Sequence, residues 1–255
     1  MGVVIATVNQ KGGVAKTTTA VNLGAALGAK ERTVLLIDLD PQASLSQGLG
    51  VPVHELDQTM HEVMLGEAQL ADVILPTGVS GVELAPAEIT MTTLERQLSG
   101  QVAFDSVLDR ALEQVRDHYD YVLIDCRPSL ESLEINAVRA ADYLIIPILA
   151  ERYALYGTDQ LLEFIYMVRE RLKPSLEILG VLLTKVDRRN ALSDQVITEV
   201  QNYFKQQVFK TQIGINVRLA EVPGAAVSIF DYDPSSRGAQ DYHALAEEVI
   251  ARVES

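Results

Sequence analysis

One eight-residue segment carries the residue types that bind phosphate, and two polar residues separate it from an apolar run before it. The segment reads Lys11-Gly12-Gly13-Val14-Ala15-Lys16-Thr17-Thr18, and residues 3–8 before it form the β-favouring run VVIATV. Glycines let backbone N–H groups surround an anion, and the N-terminus of a following helix adds its dipole. In such a loop a lysine contacts the β- and γ-phosphates, and a hydroxyl ligates Mg²⁺. The segment therefore predicts nucleotide binding, with Lys16 on the phosphates and Thr17 on the metal.

Two carboxylates at the end of the next apolar run are candidates for hydrolytic chemistry. Asp38 ends the run 33–38 (TVLLID), and Asp40 lies two residues further on. A hydrolase needs a carboxylate that orients water for in-line attack, and Asp40, just beyond the end of a strand, fits this role best. Asp38 is the alternative for the same role, or it steadies the Mg²⁺ shell or Thr17.

A third carboxylate, Asp125, ends another apolar run, residues 121–126 (YVLIDC). A carboxylate buried at a strand end is costly without a partner, and a Mg²⁺-bound water would supply one. The alternative is that Asp125 caps the helix predicted to begin near Ser129. We therefore treat Asp125 as a candidate metal residue.

The loop departs from the standard P-loop pattern in a way that resembles the deviant Walker A family, and within it the ParA/Soj branch. Gln10 stands where the first glycine would be, and Lys11 is an additional lysine inside the loop. The resemblance extends over nearly the whole chain. After the loop, its matching segments are DLDPQ (38–42), LIDC (123–126), NVRLAEVP (216–223) and YDPSSRG (232–238).

The resemblance implies an ATPase that uses ATP and Mg²⁺ and forms a homodimer when ATP is bound. Lys11 would then reach the phosphates of the nucleotide held by the other subunit, so that Lys11, Lys16 and Asp40 form the catalytic set. The loop residues 12–18 and Asn216 would contact the nucleotide. Relatives of this kind bind DNA without sequence specificity and position plasmids, chromosomes or protein organelles together with a ParB-like or cargo-adaptor protein.

Three positions depart from the family pattern. Ala15 stands where glycine is usual, and its methyl group could disfavour a backbone angle that only glycine accepts easily. Arg127 stands where proline is usual, and is either a surface arginine or an added charge near the γ-phosphate. Residues 184–187 read TKVD, which resembles the guanine-reading motif of GTPases, so Asp187 is a candidate base-binding residue and GTP an alternative to ATP.

The order of apolar runs predicts an α/β fold, with a doubly wound, mostly parallel sheet and helices on both faces. Continuous apolar runs are typical of strands that are covered on both faces. We expect one P-loop domain over residues 1–255. Strands are predicted at 3–8, 33–38, 121–126, 143–149 and 176–184, with another near 82–84. Helices are predicted at 17–30, 104–117, 130–141, 156–172, 192–204 and 240–253.

A formal net charge of −14 argues against a surface that attracts nucleic acid everywhere, so DNA binding needs a local basic patch. Residues 183–218 hold six basic residues against three acidic ones. We call this stretch the basic segment. Its candidate DNA-binding residues are Lys185, Arg188, Arg189 and Arg218; the alternative is an ordinary solvated helix face.

Membrane attachment and metabolic chemistry are the competing interpretations. The chain end carries Glu247, Glu248 and Glu254 against Arg252, and anionic lipid repels such a segment, which disfavours a MinD-like membrane helix. No apolar run is long enough to span a bilayer. A single cysteine, Cys126, cannot form an internal disulfide or a multi-cysteine metal site. We expect a cytoplasmic, nucleoid-associated protein, with a small-molecule kinase or ligase as the alternative enzyme class.

Overall fold

The computed structural model describes residues 2–98, 103–187 and 189–254, and its centre is a seven-stranded sheet in the order β3-β4-β2-β5-β1-β6-β7. All neighbouring strands are parallel except β3 and β4, which pair antiparallel. The mostly parallel sheet is thus confirmed. The strands are β1 (Val3–Thr7), β2 (Val34–Asp38), β3 (Leu75–Pro76), β4 (Val82–Ala85), β5 (Tyr121–Asp125), β6 (Tyr143–Leu149) and β7 (Glu177–Thr184).

Twelve helices lie among the described residues, and they cover both faces of the sheet. Short 3-10 turns link several of them. The helices are α1 (Lys16–Gly28), α2 (Ser44–Gly48), α3 (Met60–Leu65), α4 (Leu70–Val73), α5 (Leu94–Leu98), α6 (Val107–Leu112), α7 (Ser132–Ala140), α8 (Thr158–Arg171), α9 (Ala191–Phe204), α10 (Val217–Ala225), α11 (Ile229–Tyr232) and α12 (Arg237–Val253).

Side chains of the central strands alternate between two hydrophobic cores. Ile5 and Leu36 enter the core beneath α1 and α12, whereas Val4 and Leu35 enter the core beneath α7 and α8. The strands are buried on both faces because each has a helical layer above and below, which explains why they read as continuous apolar runs.

One predicted helix differs from the structure, and helix α10 has no predicted counterpart. Residues 104–117 form the short helix α6 between two 3-10 turns rather than one helix. The second turn forms where Arg116 donates a hydrogen bond to the carbonyl of Gly2 and pairs with Asp142. No helix is predicted at residues 217–225, which include Pro223 and Gly224, residue types that are typical of loops. Helix α10 forms because the Asn216 side chain accepts hydrogen bonds from the first backbone N–H groups of the helix.

The strand register brings the candidate chemistry to one edge of the sheet. Thr7, at the end of β1, pairs with Asp125 on β5, and Asp125 pairs with Asp38 on β2. The carboxyl ends of these parallel strands therefore place Asp125 between Asp38 and the phosphate loop. This is the edge where ligands bind in open α/β sheets.

Candidate nucleotide-binding site

The phosphate loop joins β1 to α1 and uses two residues in the left-handed backbone region. Gly13 has a φ of 72° and Ala15 a φ of 71°. Glycine adopts this conformation freely, whereas an alanine there costs about 1–2 kcal/mol. Ala15 is thus placed in the conformation for which glycine is best suited. Val14 between them is buried, and its carbonyl accepts a hydrogen bond from the Thr184 hydroxyl at the end of β7, at 3.1 Å.

Lys16 is folded back onto its own loop. Its Nζ donates to the carbonyls of Asn9 at 3.0 Å and Lys11 at 3.1 Å, and the residue is only 6% exposed. Burial lowers the pKa of Lys16, while the nearby Asp125 carboxylate opposes that effect. Because carbonyls carry only partial charge, a buried ammonium in this position favours an incoming anion.

Lys11 lies across the loop from Lys16 and contacts the segment that precedes α8. Its Nζ donates to the carbonyl of Tyr153 at 3.0 Å and to that of Ala154 at 3.4 Å. Gln10 makes a parallel contact, donating to the carbonyl of Gly157 at 2.7 Å. The two residues that depart from the standard P-loop therefore both bind residues 153–157 of their own chain.

Asp38 is fully buried and holds backbone in place. One of its oxygens accepts from the backbone N–H and hydroxyl of Ser46, at 3.0 and 2.7 Å, and the other accepts from the Asp40 N–H at 3.0 Å. Burial raises the pKa of Asp38 to about 6, against these hydrogen bonds. Its oxygens are already occupied, so the geometry favours a structural role over the predicted place in the metal shell.

Asp40 is the carboxylate that reaches the cleft. It lines the cavity together with loop residues, and its Oδ1 also accepts from the backbone N–H of Gln42 at 2.9 Å. The geometry thus agrees with the preference for Asp40 over Asp38 as the residue that orients water.

Asp125 has the environment expected of a metal-associated carboxylate. It is fully buried, and its Oδ2 has no hydrogen-bond partner in the part of the chain that the structure describes. Burial and the negative charge of Asp38 raise the pKa of Asp125 to about 8, while Thr17 and Lys16 act in the opposite direction. An orphaned oxygen next to Thr17 fits a hydrated Mg²⁺. The capping alternative is wrong, because α7 begins at Ser132 and its capping box is formed by Glu131 and Glu134.

These elements surround a cleft of about 440 Å³. Its walls come from the phosphate loop, from Asp40 and Pro128 beyond neighbouring strands, and from the segments that follow β7 and lead into α10. Such a volume, with mostly apolar walls and a few lysine, threonine and carboxylate side chains, suits a nucleotide. The lining residues that bear on the predictions are Gly12, Gly13, Ala15, Lys16, Thr17, Thr18, Asp40, Lys185, Asn216 and Tyr242.

Asn216 and Asp187, the residues beyond the phosphate loop that are predicted to contact the nucleotide, fall in different places. Asn216 lines the cleft while its Oδ1 caps α10, accepting from Arg218 N–H at 2.8 Å. Asp187 is not among the residues that line the cleft, and its carboxylate accepts from the backbone and side chain of Arg189 at 3.1 and 3.2 Å. Thr184, the first residue of the TKVD sequence, holds the phosphate loop. The geometry does not support guanine recognition by this segment.

The candidate DNA-binding residues do not form one free basic surface. Lys185 lines the nucleotide cleft, a position that favours a contact with the nucleotide over one with DNA. Arg189 pairs with Asp187 at 3.2 Å, and Arg218 pairs with Glu221 at 2.9 Å and Asp233 at 3.5 Å. Arg188 lies outside the described residues. Carboxylates beyond the basic segment, those of Glu221 and Asp233, therefore offset part of its excess of positive charge.

Arg127 and several cleft residues were not understood from sequence. Arg127 is neither a free surface residue nor directed at the cleft, because it pairs with Glu134 at 3.1 Å and Glu131 at 2.8 Å. Pro128 and Tyr242 line the cleft without any motif that announces them. Pro128 and Tyr242 are recognised as cleft residues only from their positions in the folded chain.

The strand–loop–helix geometry, the buried lysine and the orphaned carboxylate define a P-loop site for a nucleoside triphosphate. A family model described as an AAA domain matches residues 2–178. The chain is 46% identical over 251 residues to the sporulation initiation inhibitor protein Soj of Bacillus subtilis (strain 168), covering 98% of this chain and 99% of Soj. It is also 46% identical over 252 residues to the chromosome partitioning protein ParA of Caulobacter vibrioides, covering 98% and 94%.

A solved structure with lower sequence identity has the same fold. Cobyrinic acid a,c-diamide synthase from Mycobacterium smegmatis, with bound ATP analog and magnesium, is 34% identical, with a TM-score of 0.89 and coverage of 100% and 97% of the two chains. The chain belongs to the ParA/MinD family of P-loop ATPases.

The C-terminal helix gives no sign of a membrane-directed face. Within the ranges that the structure describes, no helix combines the length and apolar character needed to cross a bilayer. The apolar side of α12, with Tyr242, Leu245 and Val249, is buried in the core beneath α1. The apolar side of α12 therefore packs inside the protein.

Proposed function

We propose that this protein is an ATP-hydrolysing switch that forms a homodimer on ATP and Mg²⁺ and positions DNA-linked cargo. The observation that carries the proposal is the pair of lysines on one phosphate loop, one buried beneath it and one held at its rim, in a chain 46% identical to Soj and ParA. Magnesium in such a site neutralises charge on the phosphates. Thr17 and Asp125 are the residues that would hold it, the latter through water.

The position of Lys11 supports the first part of this proposal, the dimerisation on ATP. Among the described residues its ammonium donates hydrogen bonds to the carbonyls of Tyr153 and Ala154, and it lies 6.0 Å from the ring centroid of the exposed Tyr156. A charge held by two neutral acceptors gains by moving to a triphosphate. We infer that Lys11 leaves these carbonyls for the nucleotide of a second subunit, so that dimerisation requires the triphosphate.

Asp40 supports the hydrolytic half. Its carboxylate lies in the cleft, whereas Asp38 is committed to Ser46 and to the backbone of Asp40 itself. We propose that Asp40 orients the attacking water, and that Asp38 fixes the turn that carries Asp40. Lys16 then stabilises the charge that develops on the phosphates.

The proposals about the cargo and about DNA binding depend on the similarity of this chain to its relatives. Because ParA of Caulobacter vibrioides is a chromosome partitioning protein, we propose that the ATP dimer of this chain binds DNA without sequence specificity in the cytoplasm, at the nucleoid, and works with a ParB-like or cargo-adaptor protein. Arg218 and Arg189 are the candidate contacts, and both must leave carboxylates to reach phosphate.

A second function, an ATP-dependent ligase, is favoured by one observation. The solved structure with 34% identity is a diamide synthase, and it covers the whole chain. The higher identity to Soj and ParA favours the switch. Hydrolysis of ATP without any small-molecule acceptor would support the switch, whereas turnover that depends on an acceptor acid and an amine donor would support the ligase.

The decisive measurement is solution mass with ADP–Mg²⁺ and with ATP–Mg²⁺. We expect a monomer with ADP and a dimer with ATP for the wild type. The Lys11→Ala variant should bind ATP as a monomer within about threefold of the wild type and form no ATP dimer, since the lysine acts across the interface. The Gln10→Ala variant is a matched control, because Gln10 contacts the same segment without a charge. A Lys11→Ala variant that dimerises normally would contradict the crossed lysine.

A further inference from the structure

Glu134 is a buried carboxylate that none of the roles above uses. It lies in the first turn of α7 and is 1% exposed. Its oxygens accept hydrogen bonds from Arg127 Nε at 3.1 Å, from the Glu131 N–H at 3.1 Å and from the Ser129 hydroxyl at 2.5 Å. Three donors of residues 127–131 thus converge on one side chain.

Arg127 makes this buried charge possible. A carboxylate removed from water without a counter-charge is strongly destabilising, and the guanidinium of Arg127 supplies the counter-charge. The same guanidinium donates to Glu131, whose side chain is 60% exposed, at 2.8 Å. The inner pair is therefore shielded from water, while the outer pair is at the surface.

The segment held by Glu134 begins two residues after Asp125 and forms part of the nucleotide site. Pro128, inside this segment, lines the cleft together with Asp40. The turns beyond β5 and β2 are also linked, because the Leu39 N–H donates to the Asp125 carbonyl at 3.0 Å. A shift of residues 127–131 would move a wall of the cleft beside the carboxylate proposed to orient water.

We propose that Glu134 is a positioning residue for ATP hydrolysis, which fixes residues 127–131 against the cleft through Arg127, Ser129 and the Glu131 backbone. The inference rests on the proposed ATPase function. Since small misplacements of reacting groups reduce rates much more than binding, Glu134 should affect turnover rather than ATP affinity.

The test compares single-turnover ATP hydrolysis, ATP affinity and thermal unfolding in three variants. Glu134→Gln keeps the shape but removes the charge, Glu131→Gln removes only the exposed pair, and the double variant Arg127→Gln/Glu134→Gln replaces the buried ion pair by two amides. We expect Glu134→Gln to lower turnover about tenfold with ATP affinity within about twofold. Glu131→Gln should stay within about twofold in both, and the double variant should recover to within about threefold of the wild type, because it leaves no unpaired charge in the buried site.

The outcomes separate the two proposals. Wild-type turnover in Glu134→Gln would overturn the positioning role, and so would an equal loss of affinity and turnover, which indicates general misfolding. Lack of recovery in the double variant would overturn the role of the pair with Arg127. If the wild type binds ATP but does not hydrolyse it, the proposed function fails; if the wild type and Glu134→Gln hydrolyse equally, only the role of Glu134 fails.

Discussion

The phosphate edge of the sheet and the basic segment 183–218 contrast in how their charges are satisfied. At the phosphate edge the charges are buried and incompletely satisfied, as in the orphaned oxygen of Asp125 and the ammonium of Lys16 on carbonyls. In the basic segment the described arginines are exposed and paired with carboxylates of the same chain. A ligand therefore completes the first region, but it must compete with existing partners in the second.

The largest effect should come from the phosphate edge. Asp40→Ala is expected to lower ATP turnover by about 10²-fold or more while ATP binding and the ATP dimer persist, because it removes water orientation and not phosphate contacts. The measurement is single-turnover hydrolysis beside solution mass. Asp38→Ala should instead lower the unfolding temperature, since three hydrogen-bond donors lose their acceptor. Unchanged turnover in Asp40→Ala with collapse in a folded Asp38→Ala would transfer the role to Asp38.

The next effect concerns the basic segment and DNA. Arg218→Glu should weaken binding of the ATP dimer to random DNA by about tenfold or more and flatten the salt dependence, which we expect to have a log–log slope of about −2 to −4 in the wild type. Glu221→Gln should act in the opposite direction, because it frees Arg218 from its nearest carboxylate. Fluorescence anisotropy over a salt series measures both. A dimer that ignores DNA at low salt would exclude the basic segment as a DNA surface.

A smaller effect is expected at the orphaned carboxylate. Asp125→Asn should raise the unfolding temperature of the nucleotide-free protein by about 5 °C, because it removes a buried group that must either bind a proton or carry a charge in the folded state. The folded pKa of about 8 lies above the unfolded value, so the cost of ionising Asp125 grows from about pH 4 to about pH 8, and the gain of the variant should grow with it. The same variant should lose stabilisation by ATP–Mg²⁺. Asp38→Asn serves as the contrast and should be destabilised.

A still smaller change, in stability and in ATP affinity, is expected at Ala15, the loop residue with a left-handed backbone. Ala15→Gly should stabilise the folded loop, because glycine accepts a positive φ without strain, and should also stabilise the unfolded chain, because glycine has more conformational freedom there. The two effects oppose each other, so the net change in the free energy of unfolding should stay within about 1 kcal/mol. ATP affinity should rise by a few-fold, because the loop adopts its phosphate-bound form more easily. Ala226→Gly is the control, with a φ of 57° away from the cleft. Equal effects of both variants on ATP affinity would remove any special role of Ala15.

The smallest effect is expected at Asp187. Its carboxylate binds Arg189 and does not line the cleft, so Asp187→Asn should leave the preference for ATP over GTP unchanged within about twofold. Competition between the two nucleotides measures this. A shift of Asp187→Asn towards xanthine nucleotides would show that residues 184–187 read the base after all.

The sequence predicted the site well where the backbone alone determines position. Strand ends converge on one edge of a parallel sheet, so Lys16, Asp40 and Asp125 could be brought together from their places after apolar runs. Arg218 could not be judged in this way, because its partner Asp233 comes from a separate segment. Helix α10 was missed because the sequence does not show that the Asn216 side chain caps a helix that contains Pro223. The Arg127–Glu134 pair was missed because Glu134 belongs to no motif that would link it to Arg127.

The contact between Lys11 and the segment before α8 also provides an optical reporter. The chain has no tryptophan, and Tyr156 is 79% exposed with its ring centroid 6.0 Å from Lys11 Nζ. A Tyr156→Trp substitution would therefore give the protein a single indole next to a cation that is proposed to depart. The emission of that indole would follow the movement of Lys11 in real time, and stopped-flow mixing with ATP could tell whether the lysine leaves before or after two subunits meet.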